Sequence, residues 1–329
     1  MGWTEILGQE TAKRMVNAHL AAGTASGAYL FAGPEGVGKR LLALELAKAL
    51  NCSAQGQKPC DRCLTCQQIA KGVHPDVHRA APSGASSQIK IDDIRQVLGR
   101  IALRPYNARV QVALLENVER MTEEAANSLL KSLEEPTGFT CFLLTTDRLS
   151  HCLPTIVSRC QIIRCQALPA ETVQRILVDR HGCDARTAAV AARLAHGSVS
   201  RALELAGRWT DYERLLERFA DPDAGRWIET PLPESRQDVS QLLDGMTEWL
   251  RDLAAAAAAE DTVFAHQTQE RALRAQAQRL DVDRCLETAF EVIALRESLE
   301  QFVSPRLVAS LAREKWLSLI EVKSKNFEF

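Results

Sequence analysis

The sequence lacks most of the features that mark membrane and secreted proteins. Only 5% of its 329 residues are aromatic, and no apolar run approaches the roughly 20 residues that a membrane-spanning helix requires. The N-terminus has no basic segment followed by an apolar core, so no secretory signal peptide is predicted. We therefore expect a cytoplasmic protein without a membrane segment.

An excess of positive charge is also missing. The formal net charge is −2, which argues against a surface built to bind nucleic acid over its whole area. Apolar residues make up 46% of the chain and charged residues 25%, as in ordinary globular proteins. A chain of this length is expected to fold into two or three domains, with abundant helix because alanine and leucine dominate.

A glycine-rich segment at residues 33–40 lies between an apolar run and a helical pattern. Strand, glycine-rich loop and helix in this order form the context of a P-loop, whose backbone N–H groups surround a phosphate at a helix N-terminus. Lys39 stands where the P-loop lysine reaches the outer phosphates. The candidate nucleotide-binding residues are Gly33, Gly36, Gly38 and Lys39.

Two positions depart from the pattern of a nucleotide-hydrolysing site. The residue after the P-loop lysine is normally Ser or Thr, whose hydroxyl ligates Mg²⁺, but here it is Arg40, which has no acceptor atom. The buried strand at 110–115 ends in Glu116 and Asn117, where an Asp-Glu pair is expected. The amide of Asn117 cannot act as a base at neutral pH.

Four of the ten cysteines are clustered: Cys52, Cys60, Cys63 and Cys66. Their C-x7-C-x2-C-x2-C spacing predicts a closed tetrahedral zinc site of structural type, and the alternative is four unligated thiols. His74 and His78 follow shortly after. Four thiolates already saturate one ion, so we expect these histidines to be surface or packing residues.

Further patterns predict an α/β fold with a parallel sheet. Buried strands are expected at 110–115, 141–147 and 161–164, and an amphipathic helix at 127–135 is closed by Pro136. Asp92 is the expected N-cap of another helix. From residue 208 onward the pattern is helical throughout.

Several motifs occur in an order that resembles the AAA+ subunits of the bacterial DNA polymerase III clamp loader. They are the P-loop, the acidic strand end, NSLLKSLEEP at 127–136, LTTD at 144–147 and SRC at 158–160. The four-cysteine insertion after the P-loop helix is similar to that of the bacterial members. The resemblance implies an AAA+ domain at 1–167 with a zinc module at 52–66, a helical lid at 168–207 and an all-α collar at 208–329.

The same resemblance implies partners and a reaction. In such a complex the chain would sit in a hetero-pentameric ring with gamma/tau motor subunits and a delta subunit, and would help load a sliding clamp on primer-template DNA. Arg159 of the SRC motif would act in trans as an arginine finger on a neighbour's ATP.

In ATP-binding relatives an arginine that senses the phosphates stands where this chain has Ser200, and Arg201 lies one residue later. Together with Arg40 and Asn117, this offset implies that ATP and Mg²⁺ are not bound productively and that the chain has no intrinsic ATPase activity. The alternatives are an ATP-hydrolysing motor subunit of the same complex and an independent P-loop ATPase.

Overall fold

The computed structural model describes most of the chain in two compact units, one at 1–182 with 195–202 and the other at 183–194 with 203–329. The residues it describes are 3, 6–22, 27–84, 87–136, 139–221, 223–259, 264–300 and 303–321. Residues 85–86 and all residues after 321 are among those that lie outside these ranges. No helix in these ranges is both long and apolar enough to cross a bilayer.

The first unit is an α/β domain. Its helices are α1 Glu10–Ala21, α2 Lys39–Asn51, α3 Leu64–Ala70, α4 Ile91–Ile101, α5 Glu123–Glu134, α6 Pro154–Val157 and α7 Ala170–His181. Its strands are β1 Gly27–Ala32, β2 Val77–Ala80, β3 Gln111–Leu115, β4 Thr140–Thr146 and β5 Gln161–Arg164. Helix α9, Val199–Gly207, begins in this unit and ends in the other.

The five strands form one sheet in the order β2-β3-β4-β1-β5, with every pairing parallel. The carboxyl ends of parallel strands meet at one edge, where ligands bind in open α/β sheets. This order brings the residues that follow β1, β3 and β4 together, namely Gly33, Glu116 and Asp147. The central strands β3 and β4 are buried throughout, as expected for a sheet with helices on both faces, and the edge strands β2 and β5 are partly exposed.

Each face of the sheet has its own apolar core. On one face, Tyr29 and Phe31 of β1 pack with Leu42 and Leu46 of the P-loop helix α2. On the other face, Leu30 packs in a cluster that includes residues of α4 and α5. The alternation along β1 follows the two-residue period of a strand and fixes which way the P-loop leaves the sheet.

The second unit is entirely helical over its described residues. Its helices are α8 Ala185–Leu194, α10 Trp209–Ala220, α11 Ala224–Glu229, α12 Arg236–Ala258, α13 Glu270–Ala277, α14 Val282–Glu300 and α15 Pro305–Glu321. Phe219 is central to its core, with ring centroids 5.1 Å from Trp316, 5.2 Å from Trp227 and 5.8 Å from Trp249. These aromatic contacts join α10, α11, α12 and α15.

The strands predicted at 110–115, 141–147 and 161–164 are confirmed, and the helix predicted at 127–135 is present but begins earlier, at Glu123. A short strand expected at Ile89 is only an isolated bridge, and β2 was missed. Its sequence, Val-His-Arg-Ala, carries two polar residues, and it pairs with a single neighbour at the edge of the sheet. His74 and His78 are buried near it, which agrees with packing residues. The expected N-cap at Asp92 is wrong, because α4 begins at Ile91 and Asp93 accepts a hydrogen bond from the N–H of Lys90 at 2.8 Å.

A buried carboxylate stabilises the turn before β3. Asp76 accepts hydrogen bonds from the N–H groups of Tyr106, Asn107 and Ala108 at 2.7–2.8 Å. Burial alone would raise the pKa of Asp76, but these donors outweigh it and hold the pKa below its ordinary value. The carboxylate therefore stabilises the fold above its unfolded pKa of about 4, and the stabilisation is lost as the pH falls through the folded pKa.

We predict that Asp76→Ala lowers the free energy of unfolding by about 3 kcal/mol at pH 7, because three backbone N–H donors lose a buried, charged acceptor. The difference from the wild type should shrink in acid. Urea denaturation at pH 7 and pH 3 measures it, with Asp92→Ala as the control because the Asp92 side chain is 89% exposed. Equal losses for the two variants at pH 7 would contradict the prediction.

Candidate functional site

The glycine-rich loop joins β1 to α2, as the sequence predicts. Gly36 and Gly38 have φ values of 72° and 98°, a region in which side chains other than glycine are strained, and Gly38 caps the N-terminus of α2. Gly33 donates its N–H to the carbonyl of Thr146 at 3.2 Å, which ties the loop to the end of β4. The loop therefore has the backbone shape of a P-loop.

The ammonium group of Lys39 is bound by acceptors of its own domain. Its ammonium group donates to the carbonyl oxygens of Gly33 at 2.8 Å and Pro34 at 2.6 Å, and it lies 2.5 Å from the carboxylate of Asp147. The side chain is 7% exposed. An ammonium has three donors, so the three protein acceptors account for all of them.

The start of α9 and the residue before it pack against the loop. Val199 donates its N–H to the carbonyl of Gly36 at 2.9 Å. A Cβ atom on Gly36 would lie 2.2 Å from Oγ of Ser200 and 2.3 Å from Oγ of Ser198. Ser200, which stands where relatives carry the phosphate-sensing arginine, therefore packs against the loop with a short neutral side chain.

Two arginines neutralise the first carboxylate at the end of β3. Glu116 accepts hydrogen bonds from Nε and Nη2 of Arg79 at 2.5 and 3.2 Å, and Nε of Arg40 lies 3.2 Å from the same carboxylate. A divalent cation at Glu116 would face two guanidinium groups, which repel it. Arg40, which stands where a P-loop normally has a hydroxyl, thus also adds positive charge beside Glu116.

Asn117 is likewise engaged with a neighbouring strand. Its side-chain amide donates to Oδ2 of Asp147 at 2.8 Å, and its own N–H donates to Oγ1 of Thr145 at 3.1 Å. Asp147 thus bridges Asn117 and Lys39. Position 117, where the sequence pattern predicts a catalytic carboxylate, thus carries an amide that donates a hydrogen bond to Asp147.

Arg159 lies away from this loop, after the short helix α6. Its Nε donates to Oε1 of Glu134 at 2.8 Å, Nη2 contacts the same oxygen, and Nη1 donates to the carbonyl of Thr155 at 2.8 Å. The side chains of Arg159 and Glu134 are 30% and 48% exposed. The two sequence marks LEEP and SRC, which are separated by more than 20 residues in the chain, are therefore in direct contact.

The four clustered cysteines converge at the end of α2. The sulfur atoms of Cys52, Cys60, Cys63 and Cys66 all lie within 4.8 Å of one another. Tetrahedral zinc with Zn–S bonds of about 2.3 Å needs sulfur separations of about 3.8 Å, which is compatible with four sulfurs that all lie within 4.8 Å of one another. Four thiolates form a donor set typical of structural zinc, and the cluster is able to hold a metal ion.

The thiols differ in how readily they ionise. Burial opposes ionisation of Cys63, yet hydrogen bonds from Cys66 and Ser53 lower its pKa to about 6. N–H groups of Arg62 and Cys63 lower the pKa of Cys60, whereas burial raises that of Cys66 above its ordinary value. The more exposed thiols are thus prepared for thiolate formation.

Comparison with known proteins identifies the family of this chain. The family model described as DNA polymerase III, delta subunit, matches residues 8–169. The delta-prime subunit of DNA polymerase III from Pseudomonas aeruginosa is 35% identical over 251 residues, which cover 70% of this chain and 72% of that protein. The chain belongs to the DNA polymerase III delta-prime family. It is accordingly an AAA+ subunit of the clamp loader, as the motif order predicted.

More distant members of the polymerase complex also match. The tau subunit of Escherichia coli K12 is 34% identical over 209 residues, covering 62% of this chain but only 32% of tau. The crystal structure of a gamma-subunit-related protein from Thermotoga maritima aligns with a TM-score of 0.46 at 18% identity, over 95% of this chain and 99% of that one.

Several residues of this delta-prime site escaped the sequence reasoning. Arg79 was missed because β2 was missed, since pairing of β2 with β3 places Arg79 beside the end of β3. Asp147 lay in a recognised motif but had no predicted partner. Glu134 also lay in a recognised motif. Its carboxylate and the predicted finger arginine belong to motifs of the same family, and this was the one sequence feature that could have suggested their pairing.

Proposed function

We propose that this chain is a non-hydrolysing clamp-loader subunit that supplies Arg159 to the ATP site of a neighbouring motor subunit. The non-hydrolysing role is supported chiefly by the contacts of Lys39, whose ammonium group is engaged by the carbonyl oxygens of Gly33 and Pro34 and by the carboxylate of Asp147. A γ-phosphate would have to displace these acceptors. It would also arrive without a hydroxyl at position 40 to hold Mg²⁺.

The position of Arg159 supports its proposed role as an arginine finger. The guanidinium is accessible at the surface of the AAA+ unit, and Glu134 and Thr155 orient it from two sides. A half-exposed ion pair of this kind contributes only about 0–1 kcal/mol. A phosphate carrying several negative charges therefore competes effectively with Glu134 for the guanidinium.

We propose that the partners are gamma/tau motor subunits and a delta subunit in a five-subunit ring in the cytoplasm, acting with the sliding clamp and primer-template DNA. DNA contacts would fall on backbone phosphates without reading of bases. The helical unit carries a surface suited to ring assembly, because α14 exposes Leu286, Phe290 and Ile293, and α15 exposes Leu307 and Leu311. We assign this apolar face to contact with the helical domain of a neighbouring subunit.

We propose zinc as the metal of the cysteine cluster. Cys52, Cys60, Cys63 and Cys66 would hold it as thiolates in a closed tetrahedron. A closed site leaves no coordination position for water, so the ion would stabilise the 52–66 module and take no part in a reaction.

The expected result for the isolated chain is no Mg²⁺-dependent ATP turnover above that of Lys39→Ala, with or without primed DNA. The physical reason is that Lys39, Glu116 and Asn117 are each engaged within the protein and that position 117 carries an amide in place of a carboxylate. Phosphate release from ATP measures turnover, and equilibrium binding of nucleotide with and without Mg²⁺ tests occupancy of the loop. Contaminating ATPases act equally on both samples.

Turnover at a motor-like rate that disappears in Lys39→Ala would contradict the non-hydrolysing role. It would favour one of two alternatives, a hydrolysing motor subunit or an independent P-loop ATPase. Arg159→Ala separates these two, because an independent ATPase needs no finger for a neighbour.

A further inference from the structure

The face of α2 that carries the first cysteine of the cluster also carries a buried ion pair. Glu45, Lys48 and Cys52 follow one another at spacings of three and four residues, which places them along one side of the helix. Nζ of Lys48 lies 2.5 Å from Oε1 of Glu45, and the two side chains are only 1% and 4% exposed. A charge buried this deeply is costly unless groups of opposite charge or hydrogen-bond acceptors surround it.

The second partner of Lys48 comes from the cysteine loop itself. Oδ1 of Asp61 accepts a hydrogen bond from Nζ of Lys48, and Asp61 directly follows Cys60. Asp61 therefore connects the buried ammonium of α2 to the loop that begins at Cys60.

The spacing of the cysteines explains why such a connection is needed. Two residues separate Cys60 from Cys63 and Cys63 from Cys66, so these three sulfurs converge within one tight turn and the start of a helix. Seven residues separate Cys52 from Cys60. That longer loop does not by itself fix where the three later sulfurs stand relative to the first.

We infer that Lys48 and Asp61 are positioning residues of the metal site, which hold the loop carrying Cys60, Cys63 and Cys66 against the helix carrying Cys52. Glu45 fixes the ammonium from the helix side. The bridge reduces the conformational freedom that the metal would otherwise have to remove when it binds. This inference rests on the proposed metal occupancy of the cluster.

Helix α2 connects the cysteine cluster to the nucleotide loop. Helix α2 starts at Lys39 and ends at Asn51, next to Cys52. Asn51 is also fixed, because its side chain exchanges hydrogen bonds with the backbone of Val110 at 2.9 and 3.0 Å. The carboxyl end of the P-loop helix is therefore attached both to the sheet and to the cysteine loop.

The test is metal affinity of the purified full-length chain, measured by competition with a chromophoric zinc chelator. Asp61→Asn is expected to weaken zinc binding by about 10- to 100-fold, as is typical when a group that orients metal ligands is removed. Lys48→Met should weaken it to a similar degree. In the double variant the two effects should not add, because either change alone breaks the bridge.

Arg62→Gln is the matched control, since it changes a neighbouring charge on the same loop without touching Lys48, and it should leave the affinity within twofold of the wild type. Co²⁺ substitution reports the geometry independently: the tetrahedral thiolate spectrum should form in every variant but at higher metal concentration in Asp61→Asn. If Lys48→Met fails to fold, Glu45→Gln/Lys48→Met removes the buried charges together. Asp61→Asn alone already tests the inference, because the Asp61 side chain is 26% exposed.

Three outcomes would overturn the inference. Asp61→Asn binding zinc as tightly as Arg62→Gln would show that the bridge does not position the ligands. Lys48→Met binding more tightly while Asp61→Asn binds more weakly would show a charge effect and no positioning. Absence of zinc and Co²⁺ binding in the wild type would refute metal occupancy itself, which separates that failure from failure of the bridge.

Discussion

Replacing Arg159 by Ala in the reconstituted clamp loader should lower ATP turnover at the site facing this subunit by about 10³-fold or more. Transferring phosphate develops charge on its oxygens, and an arginine from a neighbouring subunit stabilises that charge by this order. Clamp loading on primed DNA should fall with it. Single-turnover phosphate release from the assembled complex measures the site directly.

Two further variants make the Arg159 result specific. Arg159→Lys keeps the charge but loses the planar fork and should recover only part of the activity. Arg164→Ala removes another exposed arginine, on β5, and should behave as the wild type. Unchanged turnover in an Arg159→Ala complex that has assembled with the normal subunit composition would refute the arginine-finger role.

Removing the metal from the cysteine cluster should unfold the 52–66 module. Structural zinc contributes on the order of 10 kcal/mol in small zinc-binding domains, and this polar segment has little apolar core of its own. Because Lys48 loses its partner on the loop, we expect the carboxyl end of α2 to lose protection as well. Hydrogen exchange of the amides around residues 47–70, before and after chelation, measures both effects.

Elemental analysis should find one zinc ion per chain, and Cys63→Ser should lower both metal content and melting temperature. Cys183→Ser is the control, because Cys183 lies outside the cluster in the helical unit. Four freely titrating thiols at positions 52, 60, 63 and 66, with no bound metal, would contradict the prediction.

Local signals in the sequence were reliable wherever residues close in the chain carry the function. The P-loop needs a strand, glycines and a helix in immediate succession, and residues 27–51 form that succession. The cysteine spacing predicted a cluster, and the four sulfurs are within 4.8 Å of one another. The departures at Arg40 and Asn117 were visible because each replaces a residue whose chemistry allows few substitutes.

The sequence alone determined the fold class, the family motifs, the degenerate nucleotide loop and the four candidate metal ligands, because each depends on residue type at short spacing. Only the tertiary structure decided which charged side chains pair with one another. The order β2-β3-β4-β1-β5 sets Arg79 beside Glu116, and the adjacency of β1 to β4 places Asp147 on Lys39. Packing of distant segments likewise decided that Glu134 holds Arg159 and that Lys48 holds Asp61. Such pairs join residues 13 to 108 positions apart, and no periodicity or spacing rule reaches across a sheet whose strand order differs from the order in the chain.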